Sequence, residues 1–162
     1  MRMKGFVTIA TGDEKYYKLA FNLLRSYKLR AVGENILPFA IICDRKNKYT
    51  EYFDDIIILP ETETTRSFMD KLFLYRYTPY EETLFVDADS LFTGVPGGLW
   101  YDFRNADDVC CYGAPLPLDS TKGWFTYDGC KEYKNKIKFL ISMHGGVYYF
   151  RKTDRARKIF DK

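Results

Sequence analysis

The sequence is short of several features that would each indicate a particular class of protein. It has one histidine and four cysteines, and no Cys-x-x-Cys pair, which argues against a zinc site with thiolate ligands. No apolar run approaches the roughly 18 residues that cross a bilayer, and the residues after Met1 do not form a signal peptide. We therefore expect no transmembrane segment and a cytoplasmic location.

A strong excess of one charge is also missing. The chain has 25 basic and 22 acidic residues and a net charge of +3, with no basic arm, so nucleic acid is not an expected partner. What the chain does have is aromatic residues, with 14 Tyr, 13 Phe and 2 Trp. Most of them are expected in the core, because aromatic side chains bury a large area. The length predicts one domain over 1–162.

Strand-like and helix-like segments alternate along the chain. Periodicity predicts strands over 5–10, 36–43, 55–59, 84–86, 109–112, 137–142 and 147–151, and helices over 13–29, over 67–77 and from Thr153 onward. Thr11 and Glu14 fit a capping box for the first helix. This order predicts an α/β Rossmann-like domain whose central sheet is mainly parallel, with helices on both faces.

An acidic pair follows the apolar run that ends at Val86. Asp87 and Asp89, with Ala88 between them, would lie on the loop after this strand. In parallel sheets ligands bind at that edge. Paired carboxylates suit Mg²⁺ or Mn²⁺, which commonly carry phosphates. The alternative is an Asx-type turn that only closes the strand.

Lys71 lies inside the apolar face of the helix predicted over 67–77. It either extends its ammonium to water or directs a fixed positive charge at a phosphate. The turn after the first strand, residues 8–11, leads into a helix N-terminus, which favours anions. An ordinary strand-to-helix turn is the alternative there.

The single histidine, His144, precedes two glycines, Gly145 and Gly146. Glycine allows a backbone to approach a ligand closely. The alternative is a tight hairpin turn in which the glycines serve only the geometry.

Taken together, these segments resemble the glycogenin-like (family 8-type) nucleotide-sugar glycosyltransferases, which have the GT-A fold. The resemblance rests on residues 6–11 before a helix, on Lys71 before an apolar strand, on residues 85–91 and on residues 145–147. It implies a metal-dependent transfer of a hexose with retention of configuration, from a nucleoside diphosphate sugar to a glycan or other hydroxyl acceptor. A UDP-sugar is the expected donor.

The resemblance also implies residue roles. Asp87 and Asp89 correspond to the pair that binds Mn²⁺ or Mg²⁺, Ala88 lies near the ribose, and Lys71 contacts the donor. The implied nucleotide-base pocket consists of Thr8, Ile9, Ala10, Thr11 and Tyr16. Gly145 and Gly146 match the turn that lines the donor sugar, where His144 replaces the asparagine of relatives and leaves the choice of sugar open.

Two elements of the family are expected beyond Lys162. They are the acidic-amide pair near the reacting carbon and a late histidine that binds the metal. The catalytic residues therefore stay unassigned, and we expect a chain that is truncated at its C-terminal end or is a reduced version of the fold. The predicted loop 114–136, with Trp124, Phe125 and Tyr127, is the expected acceptor side.

Three other functions are compatible with parts of the pattern. A remnant of the same fold could bind the donor without catalysis. In an aspartyl-nucleophile phosphatase, Asp87 would attack phosphorus and Asp89 would act as the acid, but three strands precede the motif here. A sugar-nucleotide pyrophosphorylase would need a glycine-rich loop after the first strand, where only Gly12 is present.

Overall fold

A computed structural model describes residues 2–33, 36–117 and 136–161. These residues form six strands, which are β1 (Arg2–Ala10), β2 (Phe39–Cys43), β3 (Asp55–Ile58), β4 (Tyr80–Val86), β5 (Val109–Pro117) and β6 (Phe139–Arg151). The strands make one sheet in the order β3-β2-β1-β4-β6-β5. Strands β1 to β4 are parallel, and β6 is antiparallel to both of its neighbours. The prediction of a mainly parallel α/β sheet is confirmed.

Helices cover both faces of this sheet. Helix α1 (Glu14–Arg30) and helix α3 (Gly97–Asp102) contribute to the core that contains Phe6 and Ala10 of β1. Helix α2 (Leu74–Tyr77) and helix α4 (Asp154–Phe160) contribute to the core that contains Val7 and Ile9. Alternate residues of a strand point to opposite faces, so β1 is buried on both sides.

The strand β6 corrects one prediction. Residues 137–142 and 147–151 are not two strands around a turn, because a single strand continues through the His144 region. The partner register explains the difference. Cys111 pairs with Tyr148 and Gly113 pairs with Met143, so residues 144–147 face an irregularity in the ladder. Glycines inside a strand commonly mark such bulges rather than hairpin turns.

The predicted capping box at the start of α1 is wrong. Asp13 is the N-cap, and its side chain accepts a hydrogen bond from Lys15 N at 2.8 Å. Thr11 instead donates its hydroxyl to Asp70 Oδ2 at 2.7 Å. The local pattern predicted Thr11 as a capping residue, but its hydroxyl bonds instead to Asp70, which lies 59 positions away in the sequence.

The helix predicted over 67–77 is divided. Residues Phe68–Phe73 form a 3₁₀ helix, and α2 follows directly. The first residues of the predicted loop 114–136 are β-strand as far as Pro117, and residues 118–135 lie outside the described ranges. No helix in the described part of the chain is both long enough and apolar enough to span a membrane.

Candidate functional site

A cleft of about 230 Å³ opens at the carboxyl ends of β1 and β4. It is lined by Ile9, Ala10, Thr11, Tyr16, Arg66, Ser67, Phe68, Lys71, Asp87, Ala88 and Asp89. Eight of the residues predicted as site residues therefore lie around one cavity. Ligands of open parallel sheets bind at this edge, because the strand ends converge there.

The acidic pair lies on a tight turn after β4. The backbone N–H of Ser90 donates to Asp87 O at 3.0 Å, and the backbone N–H of Asp87 donates to Gly146 O at 2.8 Å. Ala88 is buried, whereas Asp87 is half-buried and Asp89 is exposed. The turn therefore buries the methyl group between two carboxylates that line the cleft.

The ammonium of Lys71 contacts this turn directly. Lys71 Nζ lies 2.6 Å from Asp87 Oδ2, and the two side chains are 28% and 29% exposed. The same ammonium lies 5.4 Å from the centre of the Phe85 ring. The ammonium is therefore paired with a carboxylate at the cleft and not simply extended to water, while its contact with a phosphate stays a prediction.

Asp70, which the sequence analysis missed, holds two walls of the cleft together. This buried carboxylate accepts hydrogen bonds from the hydroxyls of Thr11, Thr64 and Thr65 at 2.7, 2.9 and 2.6 Å, and from Thr65 N at 2.7 Å. Burial by itself raises the pKa of Asp70, but these hydrogen bonds outweigh it and hold the pKa below its usual value. The threonine-rich run before Asp70 is the signal that could have indicated this cluster.

Arg66 is a second cation at the cleft that the sequence analysis missed. It has a φ of 53°, a left-handed conformation that is uncommon outside glycine. Its Nε lies 3.3 Å from Asp44 Oδ2, and the Asp44 side chain is 3% exposed. Gly12, with a φ of 78°, packs against Arg66, since a Cβ at Gly12 would lie 3.3 Å from Arg66 Cβ. No motif in the sequence indicated this arrangement.

Asp44 follows β2 and gathers several donors near the cleft. The backbone N–H of Gly12 donates to it at 3.2 Å, and the Tyr17 hydroxyl also donates to it. Burial, and then this hydrogen bond to Asp44, raise the pKa of Tyr17 above its ordinary value. The phenol is therefore a neutral donor that keeps Asp44 in place.

Thr8 is not part of the cleft. It is fully buried in β1, where it pairs with Ile41, and it is not among the lining residues. Within the described ranges its hydroxyl has no hydrogen-bond partner. The strand continues to Ala10, so only the last residues of β1 reach the edge of the sheet.

The segment around His144 lies beside the turn of the acidic pair. A Cβ at Gly146 would be 2.9 Å from His144 Cε1 and 3.8 Å from Asp87 Cβ. The Gly146 N–H donates to His144 Nδ1 at 3.3 Å. His144 and Gly145 are exposed, and neither they nor Gly146 line the cleft. Trp124, Phe125 and Tyr127 lie outside the described residues.

The donor set at the turn fits one kind of metal ion. In residues 2–33, 36–117 and 136–161, no three His, Cys, Asp or Glu side chains are arranged to hold a metal ion by themselves. Asp87 and Asp89 offer hard carboxylate oxygens at an open cleft. Mg²⁺ is typically bound by one or two carboxylates together with substrate phosphates. The residues present therefore fit an ion that is completed by phosphate oxygens.

Comparison with solved structures identifies the fold. The galactosyltransferase LgtC, in complex with donor and acceptor sugar analogs, matches 96% of this chain with a TM-score of 0.60 and 14% identity. Mouse xyloside xylosyltransferase 1 matches 99% of the chain with a TM-score of 0.63 and 10% identity. The chain has a GT-A glycosyltransferase fold.

This glycosyltransferase fold is not restricted to glycosyltransferases. CMP:2-keto-3-deoxy-manno-octonic acid synthetase complexed with CTP matches 99% of the chain with a TM-score of 0.54 and 11% identity. The chain spans 60% of the length of LgtC, 71% of the xylosyltransferase and 78% of the synthetase. Neither a family model nor a curated protein matches the sequence.

Proposed function

We propose that this chain is a metal-dependent glycosyltransferase of the glycogenin-like type. It moves a hexose from a nucleoside diphosphate sugar, with UDP-sugar as the preferred donor, to a hydroxyl acceptor, and it retains the anomeric configuration. The observation that carries this proposal is the cleft that brings the Asp87 turn, Lys71 and the end of β1 together in a fold shared with glycosyltransferases.

Different described residues would contact the base, the ribose and the diphosphate of the donor. Tyr16, which is 43% exposed at the cleft, offers an aromatic face for the nucleotide base. Ile9, Ala10 and Thr11 form the adjoining backbone wall. Lys71 and Arg66 supply positive charge on the side where the diphosphate would lie, and Ala88 would lie near the ribose.

Asp87 and Asp89 would hold Mn²⁺ or Mg²⁺ in this function. When bound, the ion supplies Lewis-acid stabilisation of the negative charge on the departing diphosphate. Lys71 would add a positive charge to the same field once the donor is bound, and a charge that is in place before the reaction lowers the barrier because it needs no reorganisation during it. Asp70 acts indirectly, because its hydrogen bonds to the threonines hold Thr11 and the neighbouring Lys71 in position.

The experiment is a calorimetric titration of nucleoside diphosphates and their sugars, with and without Mn²⁺. We expect at least one diphosphate to bind about tenfold or more tightly when Mn²⁺ is present. In Asp89→Asn this metal-dependent gain should be lost. The exposed position of Asp89 means that the substitution should leave the stability of the fold unchanged.

Asp107→Asn is the matched control, since Asp107 is also exposed and is not among the residues of the cleft. It should bind diphosphates as the native chain does. The assignment of the acidic pair is wrong if Mn²⁺ and the Asp89→Asn substitution both leave every diphosphate affinity unchanged. Sugar transfer is then measured with the donor that binds best.

Nucleotidyl transfer is a second candidate, because a CMP-sugar synthetase has a similar fold. If a nucleoside triphosphate reacts with a sugar and pyrophosphate is released, this candidate is favoured over the first. Binding of a diphosphate sugar without any transfer would favour a non-catalytic remnant. The fold comparisons add no support for an aspartyl-nucleophile phosphatase, and hydrolysis of a generic aryl phosphate tests that reaction.

A further inference from the structure

The ion pair between Lys71 and Asp87 occupies a carboxylate that the proposed function assigns to the metal ion. We infer that Lys71 is an internal competitor of the metal, which releases Asp87 only when a diphosphate enters the cleft. Metal ion and nucleotide then bind cooperatively, and the metal ion alone binds weakly. This inference rests on the proposed function, because it concerns the regulation of the same site.

The competition follows from the geometry. Lys71 Nζ is 2.6 Å from Asp87 Oδ2, and Mg²⁺ coordinates carboxylate oxygens at about 2.1 Å. A divalent ion on this carboxylate would therefore lie within a few ångströms of the ammonium. Both side chains are less than one-third exposed, so water screens the repulsion of the two cations only in part. The ammonium has to withdraw when the metal ion binds.

Only the side chain of Lys71 is free to withdraw. Its backbone belongs to a 3₁₀ helix that is capped by Ser67, whose side chain accepts a hydrogen bond from Met69 N at 3.2 Å. The preceding residue, Asp70, is tied to three threonines. A four-carbon stem with rotatable bonds joins this fixed backbone to the charge.

A diphosphate lowers the cost of that withdrawal. Without an anion, moving Lys71 leaves a half-buried ammonium without its carboxylate. With a diphosphate in the cleft, the ammonium gains a phosphate partner, and phosphate oxygens supply the metal ligands that the described residues lack. Each ligand therefore improves the affinity for the other by the same factor.

The test measures binding of Mn²⁺ alone, by the loss of the electron paramagnetic resonance signal of free Mn²⁺, and then repeats the titration in the presence of UDP. In Lys71→Met the affinity for Mn²⁺ without nucleotide should rise about two- to fivefold, because the competing cation is gone. The gain in Mn²⁺ affinity caused by UDP should be smaller than in the native chain. UDP without metal should bind more weakly to this variant.

Lys48→Met is the matched control. Lys48 also pairs with a carboxylate, Glu14 at 3.4 Å, but both side chains are well exposed and neither lines the cleft. Its Mn²⁺ and UDP affinities should equal those of the native chain. Lys71→Gln replaces Lys71→Met if the methionine variant does not fold, and the same changes are expected.

The outcomes separate the two proposals. If removing the charge of Lys71 leaves the Mn²⁺ affinity without nucleotide unchanged or lower, the competition is refuted, even if UDP binds with metal. If Lys71→Met binds Mn²⁺ more tightly but neither protein binds any diphosphate, Lys71 competes with the metal ion, whereas the release by a diphosphate and the proposed function are both wrong.

Discussion

Two carboxylates flank the same cleft and are held in opposite ways. Asp70 is fully buried and accepts four hydrogen bonds from three threonines. Asp87 is 29% exposed and contacts the ammonium of Lys71. The partners of Asp70 are neutral threonine groups close to the backbone. The partner of Asp87 is the charged ammonium of Lys71, which is carried on a flexible side chain.

A carboxylate at the cleft is either a structural group or an available ligand, depending on the groups that hold it. A desolvated carboxylate is stable only if hydrogen bonds replace its water, and Asp70 has such bonds on both oxygens. An incoming cation would have to break all of them. At Asp87 an incoming cation replaces a single ion pair, so this carboxylate stays exchangeable.

The largest expected effect is on the free energy of unfolding, which should differ between variants of the two carboxylates. Asp70→Asn should lower the free energy of unfolding by about 3 kcal/mol, because the new amide group faces hydrogen-bond donors and the buried bonds are lost. Asp87→Asn should cost less than about 1 kcal/mol, as expected for a partly exposed ion pair. Urea unfolding measures both values. Equal losses in the two variants would mean that Asp70 and Asp87 contribute equally to the stability of the fold.

The contribution of Asp70 to stability should depend on pH. The pKa of Asp70 in the folded protein lies below its usual value, so the ionised form stabilises the fold at pH values above the unfolded pKa of about 4. This contribution is lost as the pH falls through the folded pKa. The stability difference between the native chain and Asp70→Asn should be constant from about pH 7 to pH 5 and should shrink below about pH 4.

Urea unfolding at a series of pH values measures that difference. Thr64→Val removes one donor to Asp70 and should show a smaller part of the same change. A stability difference that grows toward acid pH would mean that Asp70 is protonated in the folded protein and that its hydrogen bonds have been misassigned.

The smallest effect concerns the cap of the segment that carries Lys71. Ser67→Ala removes the side chain that accepts from Met69 N, which should cost about 1 kcal/mol of stability and weaken Mn²⁺-dependent diphosphate binding a few-fold. Thr153→Ala, which removes the cap of α4, is the control. It should cost a similar free energy without changing diphosphate binding, and a loss of binding there would indicate a general loss of stability.

Local patterns were sufficient for the parts of the site that lie at strand ends. Asp87, Asp89 and Ala10 follow or end apolar strands, and parallel strands bring such ends to one edge. The sequence pattern included Thr8 in the predicted site, but strand β1 continues past this residue and buries it. It also missed Asp70 and Arg66, since their roles depend on partners at Thr11 and Asp44, far away in the chain.

Hydrophobic periodicity and strand ends are local properties, so the amino-acid pattern was enough to predict the alternation of strands and helices, the parallel sheet and the position of the acidic pair. Which charged side chains contact one another depends on how these elements pack in three dimensions. The 2.6 Å contact between Lys71 and Asp87 joins residues 16 positions apart, and the same ammonium lies 5.4 Å from the centre of the Phe85 ring of β4. Side-chain pairing of this kind depends on distances between elements, which periodicity does not contain.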